Sequence, residues 1–102
     1  MAKNSPSVSI IIPVRNRALL IAECLASLIE SVKNLDTDVE ILVADDASTD
    51  DTPAVVTGIA QKSPVPIKLL TSVERRGPAH ARNQAIESAG GELVIFVDSD
   101  EV

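Results

Sequence analysis

The chain has 102 residues, enough for one hydrophobic core and too few for two. Its 45% hydrophobic and 24% charged content places it in the globular class and away from disorder. A net charge of −6, with no basic run longer than Arg75–Arg76, excludes a nucleic-acid-binding face. A single aromatic, Phe96, argues against a stacking platform for bases or sugars.

The only cysteine, Cys24, leaves no internal disulfide and no cysteine-based zinc site. At helical spacing from Ile21 and Leu28, it reads as a buried core thiol rather than a nucleophile. No apolar stretch approaches membrane-spanning length, and "MAKNSPS" lacks a signal-peptide core. Cytosol is therefore the default expectation, with a longer parent at the cytoplasmic face of a membrane left open.

The first element is Val8 to Val14, "VSIIIPV", a run of β-branched residues that ends beside a proline and predicts a strand buried on both faces. Ile21, Cys24, Leu25, Leu28, Ile29 and Val32 then recur at helical spacing, predicting a helix over 18–32. A second strand, Val39 to Asp46, switches abruptly from apolar to acidic. In "ASTDDTP", Thr49 or Thr52 can cap a helix with Pro53 in its first turn and Val55, Val56 and Ile59 facing inward. A third strand is predicted around Ile67 to Thr71. Gly77–Pro78 opens a third helix with Ala79, Ala85, Ile86 and Ala89 as its apolar stripe, and Gly90–Gly91 closes it. The last strand, Leu93 to Val97, delivers the acids of "DSDE".

This order, β-α-β-α-β-α-β, predicts a Rossmann-like α/β fold: a mainly parallel four-stranded sheet covered by helices on both faces. Ligands of such sheets bind beyond the carboxyl ends of the strands. Those ends read "PVRN", "DDAS", "TSVERRG" and "DSDE", so polar groups converge on one edge from separate segments. Each alone is as readily a solvated turn; the convergence is the signal. Asp98 and Asp100 form a carboxylate pair suited to a hard divalent ion, with helix capping as the plainer alternative. Asp45 and Asp46 cannot both stay ionised and buried without partners, so one is open to a base edge and the other to a loop or helix cap. Arg15, Arg75, Arg76 and Arg82 are available to counter phosphate charge. His80 receives no role.

A dinucleotide-binding domain is excluded because the first strand leads into "RNRALL", without a glycine-rich turn. "DSDEV" also fits the Asp-x-Asp-x-(Thr/Val) pattern of haloacid dehalogenase-type phosphatases, in which Asp98 would be the nucleophile and Asp100 the acid/base. In that family the motif ends an early strand, whereas here three βα units precede it.

The motifs "VSIIIPVRNR", "ILVADDASTDDT" and "RRGPAHARNQAIESAGGELVIFVDSD", in this order, resemble the N-terminal nucleotide-binding half of family 2 glycosyltransferases of the GT-A fold. The resemblance implies a nucleotide-sugar-binding half-domain over 1–102, truncated after the Asp-x-Asp motif. It implies that Pro13, Val14 and Arg15 line the nucleoside pocket; an aromatic is frequent at the Arg15 position, so an arginine contact replaces base stacking there. Asp46, with Asp45 beside it, would accept from a base N–H. Gly77 and Arg82 would lie near the diphosphate, Asp98 and Ser99 on the approach to ribose and metal, and Asp98 and Asp100 at Mn2+ or Mg2+. The donor would be a UDP- or GDP-linked sugar. The catalytic base would lie beyond Val102, so that this chain alone would be inactive, and the uncovered sheet would favour self-association. A non-catalytic binding or assembly module is the alternative of a different class.

Overall fold

The computed structural model describes residues 7–98. The elements follow the predicted order: β1 (Val8–Val14), α1 (Ala18–Val32), β2 (Val39–Asp46), α2 (Thr52–Lys62), β3 (Ile67–Ser72), α3 (Pro78–Ser88) and β4 (Leu93–Phe96). The strands form one parallel sheet in the order β3-β2-β1-β4. The chain therefore steps from β1 through β2 to β3 in one direction and returns past β1 to lay down β4. Crossovers between parallel strands are almost always right-handed, so reversing the direction of travel moves the connecting helix to the opposite face.

The core records that reversal as two separate clusters. Ile10, Ile12 and Val14 of β1 and Val39, Ile41 and Val43 of β2 pack with Ile21, Cys24 and Leu25 of α1 and Val56 of α2. The alternate positions Ile11, Leu42 and Ala44 face Ala81 and Ala85 of α3. Burial on both faces explains why β1 and β2 read as continuous apolar runs instead of alternating. Cys24 is buried, as its spacing predicts. Burial first, and then the Asp98 carboxylate, push its thiol pKa up, so it remains a protonated core group.

Three local expectations are corrected. The inward stripe of α3 is Ala81 and Ala85, with Ala89 packed against them; Ile86 is 44% exposed and Ala79 is exposed. An alanine-rich helix has so weak an apolar asymmetry that the small residues allowing closest approach decide its face. Neither Thr49 nor Thr52 caps α2. Instead the Thr52 N–H donates to the Asp50 carboxylate at 2.9 Å, while the buried Thr52 hydroxyl accepts from the Arg17 N–H at 3.0 Å. Finally, β4 ends at Phe96, although the Val97 N–H still donates to the Ile11 carbonyl at 2.9 Å.

At the amino end of the sheet, Glu40 is an acid within the apolar stretch of β2 and is only 3% exposed. Its Oε2 accepts the Ser9 hydroxyl and the Gly90 N–H, each at 2.7 Å, and Lys68 Nζ lies 3.5 Å from Oε1. Burial pushes the Glu40 carboxyl up, but the bonds from Ser9 and Gly90 and the charge of Lys68 outweigh it and hold the pKa below the ordinary value. A folded-state pKa below the unfolded one stabilises the protein above the unfolded value of about 4.3 and loses that contribution as pH falls through the folded value. The difference in unfolding midpoint between wild type and Glu40→Gln should therefore be largest near neutral pH and shrink below about pH 4. A difference that stays constant on acidification would contradict this linkage.

The β4 edge is less covered than the rest. Leu93, Ile95 and Phe96 are 56%, 41% and 48% exposed. Helices lie over both faces of the sheet as expected, and at this edge strand Val94 packs against the α3 cluster while these three side chains keep partial exposure.

Candidate functional site

The direction of the chain reverses between β1 and β4, and β1 lies between β4 and β2. The crevice beyond the carboxyl ends at such a switch point is where open α/β sheets bind ligands. Pro13, Val14 and Arg15 come to that edge at the end of β1, Asp45 and Asp46 at the end of β2, and Asp98 just after β4. The register sets Pro13 beside Ala44 and Val14 beside Asp45. Asp98 is exposed. Ser99 and Asp100 lie outside the described residues.

Both β2 acids are buried, Asp45 at 1% and Asp46 at 4% exposure, and both hold loops. Asp45 accepts the Ser48 hydroxyl through Oδ1 and the Ser48 N–H through Oδ2 at 3.4 Å. Asp46 takes the Arg76 N–H on Oδ1 and the Gly77 N–H on Oδ2, each at 2.8 Å. Sequence reasoning reserves one acid for a loop and one for a ligand; in the structure each acid secures a loop. A carboxylate oxygen has two lone pairs, so both oxygens of Asp46 keep acceptor capacity after taking one N–H each.

Asp46 thereby ties the β2 end to the entrance of α3. Gly77 sits there with φ 93°, a conformation that costs glycine little, and α3 has no side-chain cap from Gly77 itself. A fixed carboxylate beside that helix end is also favoured by the helix dipole. Arg82 is half-buried one turn into α3, while Arg75, Arg76 and His80 are exposed. Arg76 Nη2 lies 3.4 Å from Glu74.

Sequence reasoning also gives Asn16 no role, and the structure gives it one. It adopts φ 53°, and its Oδ1 accepts the Thr49 N–H at 2.7 Å and the Asp50 N–H at 3.2 Å. Its own N–H donates to Ser48 Oγ at 2.9 Å. Asn16 thus clasps the β1–α1 connection to the β2–α2 connection, and through Ser48 it supports Asp45. The available signal is residue type: asparagine is one of few side chains that tolerate the left-handed region while bonding locally.

Among the described residues, no three His, Cys, Asp or Glu side chains are grouped to hold a metal ion. Asp98 contributes a hard carboxylate donor at the edge, and the thiol of Cys24 is buried in the core. Oxygen ligands of this kind suit Mg2+ or Mn2+ rather than zinc or copper.

An open parallel sheet that gathers buried acids, an arginine and a left-handed clasp at its switch point has the frame on which open α/β folds place a ligand. Comparison with known proteins narrows the class. The family model described as Glycosyl transferase family 2 matches residues 9–102, and the chain belongs to that family. It is 39% identical over 94 residues to the poly(ribitol-phosphate) beta-glucosyltransferase of Bacillus spizizenii, covering 92% of this chain and 15% of that protein. It is 39% identical over 98 residues to the GalNAc(5)-diNAcBac-PP-undecaprenol beta-1,3-glucosyltransferase of Campylobacter jejuni, covering 94% of this chain and 30% of the relative. Among solved structures, the mannosyltransferase PcManGT of Pyrobaculum calidifontis, in complex with GDP-Man and Mn2+, superposes with a TM-score of 0.83 at 39% identity over 94% of this chain and 28% of that one. TarS 1-349 of S. aureus in complex with UDP-GlcNAc gives 0.81 at 35% identity, over 92% and 26%. The sheet and its helices are those of the GT-A fold, and the chain spans less than a third of each of these proteins.

Proposed function

We propose that these residues form the donor side of a sugar-transfer site, binding a nucleoside-diphosphate sugar linked to UDP or GDP. The observation that carries this reading is the gathering of Arg15, Asp45, Asp46 and Asp98 at the switch-point edge of a family 2 domain. In this reading Pro13, Val14 and Arg15 line the nucleoside pocket. Asp46 accepts a ring N–H of the base through its remaining lone pairs, and the Asp46–Gly77 contact sets the loop near the diphosphate. Arg82 offers a cation there. Asp98, Ser99 and Asp100 approach the ribose and the metal, with Asp98 and Asp100 as its carboxylate ligands. A bound Mn2+ or Mg2+ would offset the charge that develops on the departing diphosphate.

Transfer forms a bond from the acceptor hydroxyl oxygen to the anomeric carbon and breaks the bond to the diphosphate, which leaves with the electron pair. The hydroxyl proton goes to a carboxylate base. We assign that base to none of these 102 residues, so this chain binds the donor and the whole protein performs the transfer. The complexes of similar proteins with GDP-Man and Mn2+ and with UDP-GlcNAc support this reading.

Calorimetric titration of UDP and GDP with and without Mn2+ tests it. Metal-dependent binding is expected, with a loss of about tenfold or more on Asp100→Ala and no sugar transfer by the chain alone. Absence of nucleotide binding in every condition would instead favour a non-catalytic module. The exposed apolar side chains of β4 support self-association, read by sedimentation of the same samples; a monodisperse monomer at high concentration would overturn that part.

A further inference from the structure

β4 has no side-chain pattern that would set its own register. Leu93, Val94, Ile95, Phe96 and Val97 are all apolar, so after a slip of one residue along β1 each face would still receive apolar side chains. Among the described residues β4 pairs with β1 alone, as an edge strand of four residues. In the structure Val94 packs with the α3 cluster on one face and Val97 with the α1 cluster on the other. Because successive residues point to opposite faces, a slip of one would turn Asp98 to the wrong side of the carboxyl edge.

The register is fixed instead at the amino end, by a buried pair on the two central strands. Ser9 of β1 and Glu40 of β2 are register partners, 0% and 3% exposed. The Ser9 hydroxyl donates to Glu40 Oε2 at 2.7 Å and accepts the Gly91 N–H at 2.8 Å. The same Oε2 accepts the Gly90 N–H at 2.7 Å. Two consecutive N–H groups at the corner before β4 are thereby held. A slip one way would bring Glu92 to the place of Gly91, where a Cβ would lie 2.6 Å from the Ser9 nitrogen. A slip the other way would offer Glu40 the Ala89 N–H, which already donates to the Ile86 carbonyl at 3.2 Å. The buried carboxylate would then lack a donor, which is costly.

We propose that Glu40 and Ser9 are positioning residues for metal-dependent donor binding. By holding Gly90 and Gly91 they set the register of β4, and so the face on which Asp98 emerges, roughly 20 Å further along the chain. The inference rests on the donor-site reading above and deepens it, adding two residues at the opposite end of the sheet from the nucleotide and the metal. Groups that only orient a metal ligand commonly matter to affinity by tenfold or more, because a carboxylate aimed wrongly cannot be replaced by one nearby.

The test combines hydrogen exchange of the unliganded chain with calorimetric titration of UDP and GDP, with and without Mn2+. Ser9→Ala removes the bridge to Gly91, and Glu40→Gln removes the charge that gathers the donors. Val56→Ala, a truncation of the core under α2, serves as a destabilised control. Ser9→Ala and Glu40→Gln should speed exchange at 93–97 about tenfold or more beyond any change in β1 and β2. Their Mn2+-dependent gain in nucleotide affinity should fall about tenfold, with metal-free affinity within about twofold of wild type. Val56→Ala should lower the unfolding midpoint at least as far and keep the full Mn2+-dependent gain. Loss of that gain in Val56→Ala as well would tie it to stability and overturn the proposal. So would equal weakening with and without Mn2+, or a gain that survives both clasp variants. Unchanged exchange at 93–97, with wild-type binding intact, would overturn the positioning role alone. A wild type without Mn2+-dependent binding would overturn the donor reading and this role with it.

Discussion

Replacing Gly91 by alanine is expected to destabilise the protein by about 3 kcal/mol, combining overpacking with a lost hydrogen bond. A Cβ at Gly91 would lie 2.6 Å from the Ser9 nitrogen, 2.7 Å from Ser9 Oγ and 2.8 Å from the Val8 carbonyl carbon. Two of those atoms are backbone of β1, so no side-chain rotation relieves the contact. The Gly91 N–H also donates to Ser9 Oγ at 2.8 Å, and that bond would be lost as the chain moves away. The damage should concentrate in β4, because β1 is the neighbour to which β4 pairs. For a domain of this size the unfolding midpoint should fall by roughly 12 °C or more. Hydrogen exchange should show the amides of 93–97 losing protection before those of β1 and β2. The same substitution at Gly58 provides the contrast. Nothing lies within 4 Å of a Cβ there, and the site is exposed and helical. Gly58→Ala should therefore stabilise by about 0.4–1 kcal/mol. If Gly91→Ala melted within about 3 °C of wild type, the close approach of Gly91 to β1 would be refuted.

The second large effect belongs to Asp46. Asp46→Ala removes the acceptor of the Arg76 and Gly77 N–H groups together, two bonds to a charged partner at 2.8 Å each. The expected cost is about 3 kcal/mol, since hydrogen bonds to charged groups contribute about 1.5–3 kcal/mol apiece and the loop regains some solvent. Asp46→Asn should be nearly as harmful, because its amide would turn a donor toward an N–H. Nucleotide binding should fall further than stability does. The substitution removes the proposed base acceptor and also releases Gly77, which leads the chain into α3 beside the diphosphate position. Thermal unfolding and calorimetric titration of the same samples separate the two effects. Asp46→Ala with an unchanged midpoint would show that the loop is held by something else; unchanged affinity would remove Asp46 from the donor site.

Much of this protein was determined locally. The β-branched runs of β1 and β2 are too short for helices and too apolar for exposed strands, so they could only be the buried centre of a sheet. The helical spacing from Ile21 to Val32 likewise left α1 no other face to bury. Strand ends in "PVRN", "DDAS" and "DSDE" located the polar edge, because parallel strands all finish on the same side. Membership in family 2 was legible for the same reason: its motifs sit at those ends.

What tertiary structure decided depended on long-range partners. Which alanines of α3 face inward was set by the sheet face of Ile11, Leu42 and Ala44, whose bulky Ile11 and Leu42 leave room for only the small side chains of Ala81 and Ala85. Glu40 looks in sequence like an exposed acid interrupting a strand. It is a buried anchor only because Ser9 and Gly90, 31 and 50 residues away, converge on its carboxylate. Asp46 is likewise engaged by N–H groups 30 and 31 residues downstream, and Asn16 closes a clasp across more than thirty residues. Hydrogen bonds of that range leave no periodic trace, because periodicity records which face of an element is buried and not which polar group meets it there. Residue type and spacing could thus place the carboxyl edge and name its acids, while only the folded chain showed both acids held by loops.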